Sequence, residues 1–216
     1  MNDRRFRLRV TYSIEGRLSM LSHLELARTL ERIVRRAGLP FAVSNGFSPH
    51  MKISFGSALP VGVGGRREIF DLQLIDYISL DKVKAALFAA TAPGIEISDC
   101  KYIENSEAAA SVALPVSVYE AVLSGPIDSL DVPDEIEVKR KKKDRIVSVS
   151  DHLVGDVDID ADTVTFTLVA LDTGSLRPDV FMKACLLQTF SDDEGPKAPV
   201  HVLRITRIDQ RSAVRC

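Results

Sequence analysis

Tryptophan is absent from this chain, and aromatic residues of all kinds make up only 6% of its 216 positions. That leaves little for a broad base-stacking platform. Cysteine is scarce too: Cys100, Cys185 and Cys216 are three in number and far apart. With no Cys-x-x-Cys and no Cys/His cluster at zinc spacing, they argue against a structural metal, an iron–sulfur cluster and a disulfide framework, so no cofactor is expected. Cys216 is the last residue rather than the fourth from the end, so a prenylation box is not expected. No apolar run approaches the length of a membrane span, and residues 1–9 are too charged for a signal peptide. A cytoplasmic protein with no membrane partner is the expectation. There is also no Gly-x-Ser-x-Gly around Ser22, Ser48 or Ser54, and no Asp partner in view, so a hydrolase triad is not indicated.

What the chain does have is ample apolar content, 45%, enough for one medium domain or two small ones. The net charge of -2 hides a polarity: residues 1–70 carry 12 Lys+Arg against 5 Asp+Glu, a balance of +7, and the remainder carries -9. Clustered Arg and Lys at the front suit an anionic partner such as a phosphate backbone. Attraction between the two parts of the chain, or plain solvation, would use the same charges.

Residues 5–13 alternate strictly, with Phe6, Leu8, Val10 and Tyr12 on one face and Arg5, Arg7, Arg9 and Thr11 on the other. This period of two is that of a half-buried strand, and it puts a row of arginines outward. Ser22-His23-Leu24-Glu25 fits a capping box. The helix it opens is expected to run to Ala37 and stop at Gly38, with Pro40 just beyond. Leu26, Leu30, Ile33 and Ala37 supply its buried face, while Arg28, Arg32, Arg35 and Arg36 form a basic stripe on another side.

The irregular stretch from 38 to 65 follows. Asn45-Gly46 and Ser48-Pro49 are turn dipeptides, so the loop that presents Phe47, His50 and Lys52 is expected to be shaped rather than floppy. Residues 52–59 and 68–75 read as strands joined through 60–67. The glycines of that join could let backbone amides approach an anion, but they lack the Gly-Lys-Ser/Thr ending of a phosphate loop, and a plain hairpin is the simpler reading. A helix over 81–91 and a strand over 94–103 complete a β-α-β-β-α-β order, the ferredoxin-like one.

Residues 104–112 are small and polar and read as a linker. This sets domains at 1–106, basic and ferredoxin-like, and 113–216, α+β. In the second, strands are expected over 114–123, 135–140, 146–150, 163–171 and 201–209, and a helix from Pro178 to about Phe190. Val202, Arg204 and Thr206 should share one side of the last strand, and His201, Leu203 and Ile205 the other. The densest basic run, 139–145 with Lys141 and Lys142, falls at a hairpin tip, a position suited to phosphate contact or to protecting an edge. The fold class is therefore α+β, two ferredoxin-like (βαββαβ-type) sandwiches, the second irregular.

Of the four histidines, His23, at a helix start, and His50, in the shaped loop, are the candidates for chemistry. Brought together, they would take a 2′-hydroxyl proton and protonate the leaving oxygen of RNA. Left apart, His23 helps its helix begin and His50 pins the loop. The binding alternative places Phe47 and Phe55 beside His50, Lys52 and the helix arginines as an aromatic and basic patch.

Leu21-Ser22-His23-Leu24-Glu25-Leu26, Arg35-Arg36-Ala37-Gly38-Leu39-Pro40, Gly46-Phe47-Ser48-Pro49-His50 with Lys52-Ile53-Ser54-Phe55, and Leu59-Pro60-Val61-Gly62 together resemble the radical SAM-linked protein family. That family is a domain of unknown function, often encoded beside a radical SAM enzyme or fused to its C-terminus. Gly174-Ser175-Leu176-Arg177-Pro178 fits the pattern too. Met51 stands where the family tends to have proline, Glu25 where it tends to have aspartate, and Ser148-Val149-Ser150-Asp151 replaces an Asp-x-Arg-Pro-like segment. The resemblance implies a radical SAM enzyme as partner, with any cluster-binding cysteines in that other polypeptide. Taken together, these features lead us to expect a non-catalytic accessory protein that binds or presents RNA through Arg28, Arg32, Arg35, Arg36, Phe47, His50, Lys52, Lys141 and Lys142. The alternatives are a metal-independent ribonuclease using His23 and His50, and a protein-interaction module.

Overall fold

The computed structural model describes residues 5–138, 144–172, 174–190 and 200–212. The chain divides into two units, residues 1–114 and 115–216. Both are mixed α+β, built on antiparallel sheet with few helices. The first runs β1 (Phe6–Ile14), a 3-10 turn at Gly16–Met20, α1 (His23–Arg36), β2 (Ile53–Phe55), β3 (Val63–Leu74), α2 (Leu80–Ala90), β4 (Ile95–Ile103) and α3 (Ala110–Ala113).

The capping box forms as its residues dictate. The Glu25 amide donates to Ser22 Oγ at 3.4 Å, while the Ser22 amide and hydroxyl both donate to Glu25 Oε2, at 2.9 and 2.7 Å. These bonds hold the Glu25 carboxyl below its ordinary range, the Ser22 hydroxyl being the larger cause. A depressed carboxyl stabilises above its unfolded pKa, so the contribution is present at neutral pH and lost as pH falls through the lower, folded value. Ser22→Ala is expected to destabilise the first unit by about 1 kcal/mol in urea unfolding, the usual loss for an N-cap; an unchanged midpoint would show that the cap contributes nothing. Four residues of α1, Leu26, Leu30, Ile33 and Val34, are buried at helical spacing, and Gly38 closes the helix at φ +64°.

In the sheet, β1 lies between β4 and β3, and β2 adds to the other edge of β3. Leu8, Val10 and Tyr12 of β1 join Phe70, Leu72 and Leu74 of β3 in the core with α1 and α2. Two expectations are corrected. The first is the join over 60–67, which is mostly strand: β3 begins at Val63, and Gly64 and Gly65 are buried within it. Gly65 leaves room for the Glu68 side chain, since an added Cβ there would stand 2.5 Å from Glu68 Cγ.

The second correction concerns the arginine row. Pairing sets Arg9 directly opposite Asp71 of β3. Arg9 Nε reaches Asp71 Oδ1 at 2.7 Å, Arg9 Nη2 reaches Oδ2 at 2.9 Å, and Arg7 Nη2 reaches the same Oδ2 at 2.7 Å. Arg7 also donates to the carbonyls of Asn105, Glu107 and Ala108, and Arg9 to that of Ala108. These side chains are therefore consumed internally, and the polar segment that reads as a linker is fastened to β1 and ends in α3.

The second unit runs β5 (Val116–Leu123), β6 (Glu135–Val138), β7 (Arg145–Ser148), β8 (Asp158–Asp160), β9 (Thr163–Val169), α4 (Pro178–Thr189) and β10 (Val202–Arg211). Its sheet order is β10-β5-β9-β8, with β6 and β7 forming a separate hairpin. Counting sheet strands within each unit, both place the first between the last and the third, with the second beyond the third. What differs is the element after the first strand, a helix in one unit and the β6–β7 hairpin in the other. Phe166 of β9 packs on Phe181 of α4, ring centres 4.8 Å apart, in a core that includes Leu168, Met182 and Cys185. One strand is unannounced and one expectation fails here. Strand β8 has too acidic and brief a sequence to announce itself. The faces of β10 do not sort as expected: Ile205, Thr206 and Arg207 are consecutively buried within the regularly paired stretch from Arg204 to Arg207, so both faces of the strand are covered there, and Leu203 is exposed at the register shift between Val202 and Arg204.

Candidate nucleic-acid interface

Arg28, Arg32, Arg35 and Arg36 are all exposed on α1, because the opposite side of the helix is consumed by the core. None of the four is held in an ion pair among the described residues. Arg32 Nη2 donates to Thr29 Oγ1 at 3.1 Å, and Arg36 lines a shallow groove with Ala37 and with Ala86, Ala89, Ala90 and Thr91 of α2 and its end. Arg35 sets its guanidinium 4.9 Å from the centre of the Phe41 ring, a cation–π contact.

Phe41 belongs to the root of the loop. Past Gly38 the chain turns back onto the sheet: Phe41 bridges to Leu74, and the Ala42 amide donates to Gln73 O at 2.7 Å. From there the backbone leaves and returns as a narrow neck. Lys52 N donates to Ala42 O at 2.8 Å, Val43 bridges to Met51, Ser44 N donates to His50 O at 2.8 Å, and His50 N donates to Ser44 Oγ at 3.0 Å. Buried Ala42 and Met51 anchor it. The tip, residues 45–49, carries Phe47 fully exposed; His50 is exposed and Lys52 half-buried. Phe41 lies three residues before Ser44, at most about 10 Å along an extended chain, so the last turns of the basic stripe and the base of the loop are neighbours.

His23 sits elsewhere on α1. It meets Phe55 edge-on, ring centres 5.5 Å apart and planes at 86°, at a narrow crevice also lined by Tyr12, Leu26, Ser57 and Glu68. The space left there is about 10 Å³, room for roughly one water. His50 is not among its lining residues. Phe55 is half-buried in β2 against Phe70, so it is part of the core wall rather than of the loop tip. Lys141 and Lys142 lie outside the described residues.

Glu68 and Phe41 are the residues that sequence reasoning missed. Glu68 is 3% exposed and carried a legible signal, since it stands two positions before Phe70 on the apolar face of its strand. Burial pushes the thiol of Cys100 up to about 11 and that of Cys185 to about 12, so neither is a nucleophile near neutral pH. His152 is buried with Nδ1 3.1 Å from Val169 O, a tie between a turn and β9. Among the described residues no three or more His, Cys, Asp or Glu gather as a metal site, and no helix is long and apolar enough to cross a membrane.

A family model described as an uncharacterized protein conserved in bacteria (DUF2344) matches residues 7–179. The chain belongs to this family. The matched span begins in β1 and ends in the first turn of α4, so every residue of the candidate interface falls inside the family's domain. The family's description assigns no activity and names no partner. No curated protein matches the chain.

Proposed function

We propose that this protein is a non-catalytic accessory factor that binds RNA through the arginines of α1 and the loop at 44–50, and works beside a radical SAM enzyme. The observation that carries the RNA reading is the Arg35–Phe41 contact, because it ties the end of the cationic stripe to the root of the loop that holds Phe47 and His50. Phosphate contacts from such a stripe position a strand without reading its sequence. The enzyme partner is supported by the motif resemblance described above. In this reading each unit is a ferredoxin-like sandwich, the second with its first helix replaced by a hairpin; the shared strand order supports it. Catalysis by a histidine pair needs both imidazoles at one phosphate, whereas His23 faces Phe55 and a water-sized crevice.

Filter binding of RNA at low salt tests the proposal. Reversing Arg28, Arg32 and Arg35 to glutamate is expected to weaken retention several-fold and to flatten the dependence of affinity on salt, as fewer counterions are released. Wild-type protein that retains no RNA at about 50 mM salt would end the RNA reading, and failure to co-purify with a radical SAM enzyme would end the partnership. RNA cleaved in EDTA by the wild type and left intact by His50→Ala would overturn the non-catalytic assignment.

A further inference from the structure

We infer that the RNA is single-stranded where it meets the loop, one unpaired base stacking on Phe47; this rests on the RNA reading above. The relative exposure of Phe47 is 111%, so nothing in the described chain covers the ring. A lone exposed phenylalanine is ordinary on a protein surface. What sets this one apart is its mount. The neck is closed by the Val43–Met51 bridge and the Ser44–His50 bonds, with Ala42 and Met51 buried beneath, so the projection of the tip is built into the backbone.

An aromatic ring projected on a hydrogen-bonded neck has an open flat face to offer. Inside a duplex both faces of each base are already covered by neighbours, and a side chain that enters must first unstack a step. An unpaired base offers its face without that cost, which is why aromatic side chains so often read loops and single strands. The charges beside the loop fit the same strand. Arg28 and Arg32 are four residues apart and Arg32 and Arg35 three, about 6 and 4.5 Å along the helix axis. They line up contacts to a backbone leading toward Arg35 at the loop root. With one aromatic ring at the tip, the loop takes one base, and the arginines take the phosphates next to it.

Because the chain contains no tryptophan, Phe47→Trp in the full chain places a single indole at the tip. Titration with a single-stranded RNA of about 12 nucleotides at about 50 mM salt is expected to quench its emission, and the same strand annealed to its complement to leave the emission unchanged. In fluorescence anisotropy with labelled strands, Phe47→Ala and Phe47→Leu should each weaken single-strand binding about tenfold and duplex binding less than about twofold. Leucine is the sharper control, since it is apolar but has no face to stack. Equal wild-type affinity for single strand and duplex, or single-strand affinity untouched by Phe47→Ala, would overturn this inference and leave the RNA reading standing. Absence of binding to either RNA would overturn that reading itself.

Discussion

Asp71→Ala is expected to lower the unfolding free energy of the first unit by about 3–5 kcal/mol, the range for removing one partner from a buried ion pair. The carboxylate is 3% exposed and serves two guanidinium groups at once, Arg9 through both oxygens and Arg7 through one. Arginine cannot shed its proton to escape burial. The hydrogen bond to Asp71 is the largest influence on Arg9, raising its pKa against the opposing effect of desolvation. Without Asp71, two cations remain beside β3 with backbone carbonyls and the half-exposed Glu107 carboxylate, 3.8 Å from Arg9 Nη1, as their partners. Arg9→Met should cost less, because Arg7 keeps its 2.7 Å bond to Asp71 and the carboxylate is never left alone. Asp71→Asn should fall between, preserving an acceptor while losing the charge. Urea unfolding followed by circular dichroism measures the ordering. An Asp71→Ala variant as stable as the wild type would show that this cluster contributes nothing net. A second readout is local: residues 105–108 are held by Arg7 and Arg9, so their amides should exchange faster in Asp71→Ala than in the wild type.

That cluster also marks where sequence reasoning stops. The capping box at Ser22 and Glu25, the alternation of β1 and the stop at Gly38 were legible because each depends on residues within a few positions of one another. The pairing of Arg9 with Asp71 depends on strand register across 62 residues, which no local pattern encodes. Seen alone, the row Arg5, Arg7, Arg9 reads as a solvated basic face; opposite β3, Arg7 and Arg9 become an ionic seam around Asp71. The basic stripe of α1 was readable for the same reason as its apolar face, since helical spacing sorts both. Its link to the loop was not, because Phe41 reaches Arg35 only after the chain turns at Gly38 and pairs with Leu74. The covering of both faces of β10 at Ile205, Thr206 and Arg207 is no local property either, and β8 is three residues of Asp-Ile-Asp with little strand propensity.

Gly65→Ala is the second substitution with a large expected effect, a loss of about 1–3 kcal/mol from overpacking. The glycine has no positive φ, so an alanine backbone is permitted, and only space decides the outcome. Ordinarily Gly→Ala at a permitted position gains about 0.4–1 kcal/mol by restricting the unfolded chain. Here the new methyl would meet Glu68 at Cγ, Oε1 and Cδ, at 2.5, 2.7 and 2.8 Å, so that moving the carboxylate tip alone would not relieve the contact. Glu68 has nowhere to retreat, being 3% exposed, opposite Tyr12 in the register and walled by the crevice that holds His23 and Phe55. Steric conflict therefore outweighs the entropic gain. A double-mutant cycle isolates the cause: in a Glu68→Ala background the added methyl should cost little, and the coupling between the two sites should approach the full loss seen at Gly65 alone. Gly65→Ala that is neutral or stabilising in the wild-type background would sink the steric account. The four arginines of α1 lie outside this contact, so folded Gly65→Ala protein should bind RNA within about twofold of wild type, less than the several-fold loss expected of the arginine reversals.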